Sequence, residues 1–189
     1  MKSINLKSLA AGIALSAIVF SSQAQTMDNT VLVGGESMYP SKNIIENAVN
    51  SKKHTTLVAA VKAAGLVETL QSKGPFTVFA PVNDAFEDLP EGTVATLLKP
   101  ENKATLTKVL TYHVVSGKYD YAALEKLITA GKGMATLKTV SGGTLTIMKN
   151  GAHNIVVKDE SGNIANISTY DVIQSNGVIH VIDSVLLPK

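Results

Sequence analysis

The chain has 189 residues, 45% hydrophobic, 17% charged and 5% aromatic, and it contains no cysteine. All 17 basic residues are lysine, set against 15 acidic ones for a formal charge of +2. This excludes a disulfide scaffold, a thiolate metal site and a cysteine nucleophile, and the near-neutral charge without guanidinium forks argues against nucleic acid.

Residues 1–24 read as an export signal. Lys2 and Lys7 form a basic start, Leu9 to Phe20 an apolar run, and Ser22-Gln23-Ala24 a small–x–small cleavage pattern. The apolar run has 12 residues, short of the roughly 20 that a spanning helix needs. Cleavage before Gln25 leaves 165 residues with fifteen lysines and fifteen acids, so the basic balance belongs to the signal. No other apolar run approaches spanning length. The expected product is a secreted or periplasmic, extracytoplasmic protein of one domain, without membrane insertion.

Residues 25–40 are polar and contain Gly34-Gly35 and Tyr39-Pro40, the composition of a loose N-terminal arm. A short helix is expected over Asn43 to Asn50. A stronger one starts near Thr56, capped by Thr55 or Thr56, because Leu57, Ala60, Val61 and Ala64 recur at helical spacing. Gly65 stands where a left-handed cap belongs, and Leu66 to Leu70 continues for about a turn. Phe76 to Ala80 is apolar on both faces, as a buried strand is. Pro81 closes it, and Asn83-Asp84 starts a helical turn carrying Ala85 and Phe86.

Further helices are expected near 92–98, 101–111 and 122–130, with Tyr112 to Val115 passing into a strand. After Gly133 the period shortens to two. Ala135–Val140, Thr144–Lys149, Asn154–Lys158 and Asn163–Thr169 are short strands separated by Ser141-Gly142-Gly143, Asn150-Gly151 and Asp159-Glu160-Ser161-Gly162. Val178–Ile182 and Val185–Leu187 form a last pair. Helices first and strands afterwards indicate an α+β fold with a mostly antiparallel sheet.

Catalytic and cofactor motifs are absent. No nucleophile elbow, zinc-protease helix, phosphate loop or dinucleotide fingerprint occurs. The histidines (His54, His113, His153, His180) lie at least 27 residues apart, so no pair has local metal-ligand spacing. The acidic pairs Glu87/Asp88 and Asp159/Glu160 sit in turn-like stretches, without the facing geometry that glycoside hydrolysis requires. The chain reads as a non-enzyme without a cofactor.

Three segments rise above this background. Thr77-Val78-Phe79-Ala80-Pro81-Val82-Asn83-Asp84-Ala85-Phe86 resembles the first signature block of the fasciclin (FAS1) domain family. Asn176-Gly177-Val178-Ile179-His180-Val181-Ile182-Asp183 resembles the second, and Tyr112-His113 resembles the Tyr-His motif between them. The resemblance covers about residues 41–188. It implies a wedge of β-sheet with helices packed around it, and an extracytoplasmic module that binds surface or matrix proteins or glycans. In animal members the Tyr-His motif and an Asp-Ile pair before the second block are associated with integrin engagement. Asp171-Val172 occupies that pair's position, one methylene shorter. The resemblance therefore nominates Tyr112, His113, Asp171 and Val172 for partner contact.

The remaining signature residues read as structural. Phe79 is core, His180 is a buried histidine with a hydrogen-bond partner, Asn83 caps the following turn, and Asp183 satisfies backbone N–H groups. At Tyr112-His113, adjacent strand residues would point to opposite faces, one packed and one exposed. The alternative to adhesion is a non-adhesive polysaccharide- or small-ligand-binding protein. A lone domain lacks multivalency, so an oligomer would favour adhesion and a monomer ligand binding.

Overall fold

Two residues with φ of 64° and 82°, Gly34 and Gly35, link β1 (Val31–Val33) to β2 (Glu36–Met38) in the computed structural model, which describes residues 30–189. A two-residue turn of this hand requires positive φ at both central positions, which glycine supplies without steric penalty. The hairpin replaces the loose arm expected at its place. Val33 and Met38 face inward and are buried, at 7% and 3% exposure, because strand alternation turns them toward the helices. The export signal and Gln25 lie outside the described residues.

α1 (Ile44–Ala48) is shorter than expected and starts with a capping box. The Asn43 side chain accepts from the Ile45 and Glu46 amides, and the Glu46 carboxylate accepts from the Asn43 amide. α2 (Thr55–Ala64) ends at Gly65 with φ 74°, and α3 (Val67–Gln71) follows. β3 (Phe76–Pro81) takes Pro81 into the strand. α4 (Asn83–Glu87), α5 (Thr93–Leu97), a 3-10 turn (Pro100–Asn102) and α6 (Lys103–Tyr112) lead to β4 (Val114–Ser116). α7 (Tyr121–Ala130) then precedes β5 (Met134–Lys138), β6 (Thr144–Asn150), β7 (Asn154–Lys158), β8 (Ile164–Gln174) and β9 (Gly177–Ile182).

These last seven strands form one sheet in the order β4-β3-β9-β8-β7-β6-β5. Its pairs are antiparallel except β3 with β9, which run parallel. A bridge between Val115 and Thr139 joins the two ends, so the sheet curls into a near-barrel. The α+β class with helices packed around a sheet is therefore the observed architecture.

β3 and β9 divide the core. Val78, Ala80, Ile179 and Val181 face α1, α2, α3 and α6, while Phe79 and Ile182 face the barrel interior with Leu145, Ile147, Ile155 and Val157. Every residue of β9 is buried. A central strand covered on both faces needs a continuous apolar run, and Val178 to Ile182 supplies one around His180.

Two strand expectations change. Val185–Leu187 is not a strand; the Leu186 and Leu187 amides are received by side chains, His113 Nε2 at 2.9 Å and Asp159 Oδ2 at 3.0 Å. β8 runs five residues past Thr169. Asp171 adopts φ 55°, and this irregularity lets the strand bend and resume pairing at Val172.

Candidate functional site

The Tyr-His pair sits at a helix end, not in a strand. Tyr112 is the last residue of α6 and His113 its cap, with helical φ and ψ of −80° and −3°. Both side chains are consequently buried, at 0% and 3% exposure, and the alternation that would have exposed one of them does not apply. The Tyr112 hydroxyl donates to the Thr144 carbonyl at 2.7 Å and accepts from the Glu160 amide at 2.9 Å. Its ring lies so close to Gly143 that a Cβ there would fall 2.7 Å from a ring carbon. His113 Nδ1–H donates to the Val109 carbonyl at 2.8 Å, leaving Nε2 to accept from Leu186. Burial lowers its pKa to about 4, against the opposing pull of the Val109 carbonyl and the Asp159 charge. The ring is neutral at physiological pH.

Asp171 and Val172 part company. Val172 is buried on the helical side at 2% exposure, whereas Asp171 is half-buried. Its Oδ1 accepts from the Tyr121 amide at 2.7 Å, beside Asp120 Oδ1, which accepts from Ala123 at 2.9 Å. Two carboxylates thus cap α7, where unpaired amides and the helix dipole favour negative charge. The Asp171 amide donates to His180 Nδ1 at 3.4 Å, and His180 Nε2–H donates to the Tyr119 carbonyl at 2.7 Å. His180 is fully buried, as expected, and stacks on Phe79 at 5.7 Å with Tyr170 edge-on at 6.0 Å. Burial lowers its pKa, partly offset by Tyr119, Asp171 and Asp120. Beside Asp171 stand Tyr121 and Tyr170, both half-buried and packed edge to face at 5.1 Å, while the half-buried Tyr119 ring lies over Gly117.

The other signature residues hold elements together. Thr77 Oγ1 donates to the Gly117 carbonyl and accepts from the Tyr119 amide. Pro81 is buried in β3, and Phe86 packs beneath α4 against Val109 and Val185. Asn83 does not cap the turn that follows it. Its Oδ1 instead accepts from the Thr56 amide at 3.1 Å at the start of α2, and its Nδ2 donates to the Lys52 carbonyl. Neither Thr55 nor Thr56 caps α2, because His54 occupies the cap position without a side-chain bond and Asn83 supplies the acceptor from 27 residues away. Asp183 receives the Asn166 amide at 2.8 Å, the expected role. Asn176 Oδ1 accepts from Ile44, and its Nδ2 donates to the Leu70 and Ser72 carbonyls.

Sequence reasoning missed an apolar slot between α2 and the sheet. Its volume is about 80 Å³. It is lined by apolar side chains with a few polar ones, among them Ser51, His54 and Lys62. His54 is buried; its Nδ1 lies 2.8 Å from Ser51 Oγ, while Nε2 makes no hydrogen bond of normal geometry. Burial lowers its pKa, with the Ala80 carbonyl acting in the opposite sense. The apolar stripe from Leu57 to Ala64 showed that a helix face packs here, but a gap beneath it leaves no mark in sequence. Among the described residues no three His, Asp or Glu side chains are placed to hold a metal, and no helix is long and apolar enough to cross a membrane.

Comparison with known proteins agrees with this geometry. The fasciclin domain model matches residues 52–188. Protein sll1483 of Synechocystis is 44% identical over 167 residues, spanning 88% of this chain and 84% of that protein. Immunogenic protein MPB70 of Mycobacterium bovis is 35% identical, covering 75% and 66%. Transforming growth factor-beta-induced protein ig-h3 of Sus scrofa is 33% identical over 79% of this chain and 20% of its own length. A solved FAS1 domain pair from the insect cell adhesion molecule fasciclin I superposes with a TM-score of 0.68 at 22% identity. The match covers 79% of this chain and 52% of that one.

Proposed function

The chain belongs to the fasciclin domain family, and on that premise we propose that it is a secreted or periplasmic module that binds cell-surface or matrix proteins or glycans, with no reaction of its own. The observation that carries this reading is the domain it shares with an insect cell adhesion molecule. The contact surface in this reading is centred on Asp171 with Tyr121 and Tyr170 beside it. Tyrosine offers large contact area with few rotors, and a half-buried carboxylate stays hydrated enough to meet a partner's cation or hydroxyl. Tyr112, His113 and Val172 lie outside this surface, since side chains as buried as theirs have no area to offer a partner.

Asp171→Asn separates binding from folding. Asparagine retains an acceptor for the Tyr121 amide and tolerates positive φ, so the melting temperature stays near wild type. Binding to immobilised matrix and envelope-glycan preparations is expected to fall tenfold or more, about 1.4 kcal/mol. Wild-type binding by a well-folded Asp171→Asn would place the contact elsewhere. A second reading, a small-ligand-binding protein without an adhesive role, is favoured by the slot beside α2.

A further inference from the structure

Two Asn-Gly dipeptides occur in the chain, Asn150-Gly151 and Asn176-Gly177. Such a pair carries a reaction of its own. The backbone nitrogen that follows an asparagine can attack its side-chain carboxamide and close a succinimide ring. Glycine at that place leaves the nitrogen unshielded and lets the backbone rotate into line. Whether the ring closes depends on the freedom of both groups, and the fold gives the two dipeptides opposite surroundings.

Asn176 is locked. It is buried, its Oδ1 accepts from the Ile44 amide, and its Nδ2 donates to the Leu70 and Ser72 carbonyls. Gly177 belongs to β9 and lies against the Phe76 backbone. Ring closure there would strip all three hydrogen bonds from a buried side chain, which is costly. Asn150 is the reverse. It ends β6 opposite Asn154, and residues 150–154 are all exposed. Among the described residues its carboxamide makes no hydrogen bond and the Gly151 amide donates none. Gly151 has φ 83°, with open space where a Cβ would stand. The last pair of a hairpin and its loop open more readily than central strands do, so the amide can reach the carboxamide.

We propose that Asn150 is a self-modification site, converted through a succinimide to isoaspartate and aspartate, and that the conversion loosens Tyr121 at the rim of the contact surface. The Gly151 nitrogen bonds to Asn150 Cγ and gives up its proton to water, and the carboxamide nitrogen leaves as ammonia. Water then opens the ring at either carbonyl. Opening at Cγ gives aspartate. Opening at the main-chain carbonyl gives isoaspartate, with the main chain rerouted through Cβ and Cγ. Nothing is oxidised or reduced; water is consumed and ammonia released. Either product adds a carboxylate beside Lys149, whose ammonium pairs with Glu125 of α7. Isoaspartate also lengthens the main chain by a methylene shortly before His153, whose carbonyl receives the Tyr121 hydroxyl at 3.0 Å. Conversion goes beyond the adhesive reading; only its bearing on the contact surface rests on that reading.

The test is to hold the exported protein in mildly alkaline buffer and map its tryptic peptides by mass spectrometry, with isoaspartyl methyltransferase as the label. Isoaspartate is expected to build up in the peptide 150–158, faster as the pH rises because the attacking amide must lose its proton. The peptide carrying Asn176 stays unmodified. In urea both sites are expected to convert, which makes the selectivity a property of the fold. Asn150→Gln, which would need a larger and slower ring, keeps the fold and removes the label. The isoaspartyl form, separated by ion exchange, should show displaced Tyr121 resonances with those of Tyr112 unmoved. A folded protein whose Asn150 stays intact while the urea-unfolded chain converts overturns the proposal. So does conversion of Asn176 as fast as Asn150 in the folded protein. Unmoved Tyr121 resonances in the isoaspartyl form overturn the link to the contact surface. Conversion in a protein that binds no matrix or glycan preparation supports the modification and defeats the adhesive reading alone.

Discussion

Leu186 lies fully buried in a segment without strand pairing, and its amide is received by His113 Nε2. That bond requires the neutral ring with its proton on Nδ1, directed at Val109. Protonating Nε2 would turn the acceptor into a donor facing another donor. The pH dependence follows. Unfolded, the imidazole takes its proton near its usual 6.5, whereas folded it does so near 4, chiefly through burial. Between those values the unfolded state holds more protons, so stability is complete above about pH 6.5, falls as the pH drops toward 4, and levels off below. The loss is up to about 3 kcal/mol. His54 and His180, also lowered by burial, act in the same sense. Urea midpoints measured from pH 7.5 to 4 should show this slope, reduced in His113→Gln together with a lower starting stability. A flat wild-type profile, or an unchanged slope in the variant, would rule the account out.

At the level of elements, the parallel pairing of β3 with β9 depends on what precedes β9. Asn176 ties the first turn of α1 to the end of α3 through three side-chain bonds. Gly177 then passes Phe76 so closely that a Cβ would lie 2.2 Å from its carbonyl oxygen. The glycine is required by close approach to backbone, which cannot rotate away as a side chain can. Gly177→Ala should therefore cost at least about 2–3 kcal/mol, read as a lowered denaturant midpoint. A midpoint within error of wild type would show that β9 has room to shift. The turn is Ser175-Asn176, and Gly177 is already the first residue of β9. The contacts with Ile44, Leu70 and Phe76 arise only when distant segments meet.

For the molecule as a whole, the unexpected part is the N-terminal hairpin. The family match begins at residue 52, yet Val33 and Met38 are packed into the same cluster as Ile44, Val61 and Val172. Tyr39 adds its backbone, donating to Asn47 Oδ1 at 3.0 Å and accepting from Asn47 Nδ2 at 2.8 Å. Asn47 also donates to Gln174 of β8. A chain starting at residue 41 would uncover this cluster and leave Asn47 partly unsatisfied. It should lose several kcal/mol, about 1.5–3 for each large apolar side chain whose burial is removed. Comparing the melts of chains starting at residues 25 and 41 tests this; equal stability would make the hairpin a passive arm after all.

The α+β class, most element centres, the buried β3 and β9, and the buried, partnered His180 follow from periodicity and composition, because these depend on which residue types recur at which spacing. The family follows from three ordered motifs. Tertiary structure decided the rest. Tyr112 and His113 are hidden because α6 continues through Tyr112 before the chain turns into β4, and a one-residue difference in where a helix ends changes which way a side chain points. Asn83 serves α2 instead of its own helix because the end of β3 comes to rest beside Thr56. Val33 and Met38 are core because a sheet and three helices leave space for a hairpin there. In each case the deciding partner lies far away in sequence, where local spacing carries no information about it.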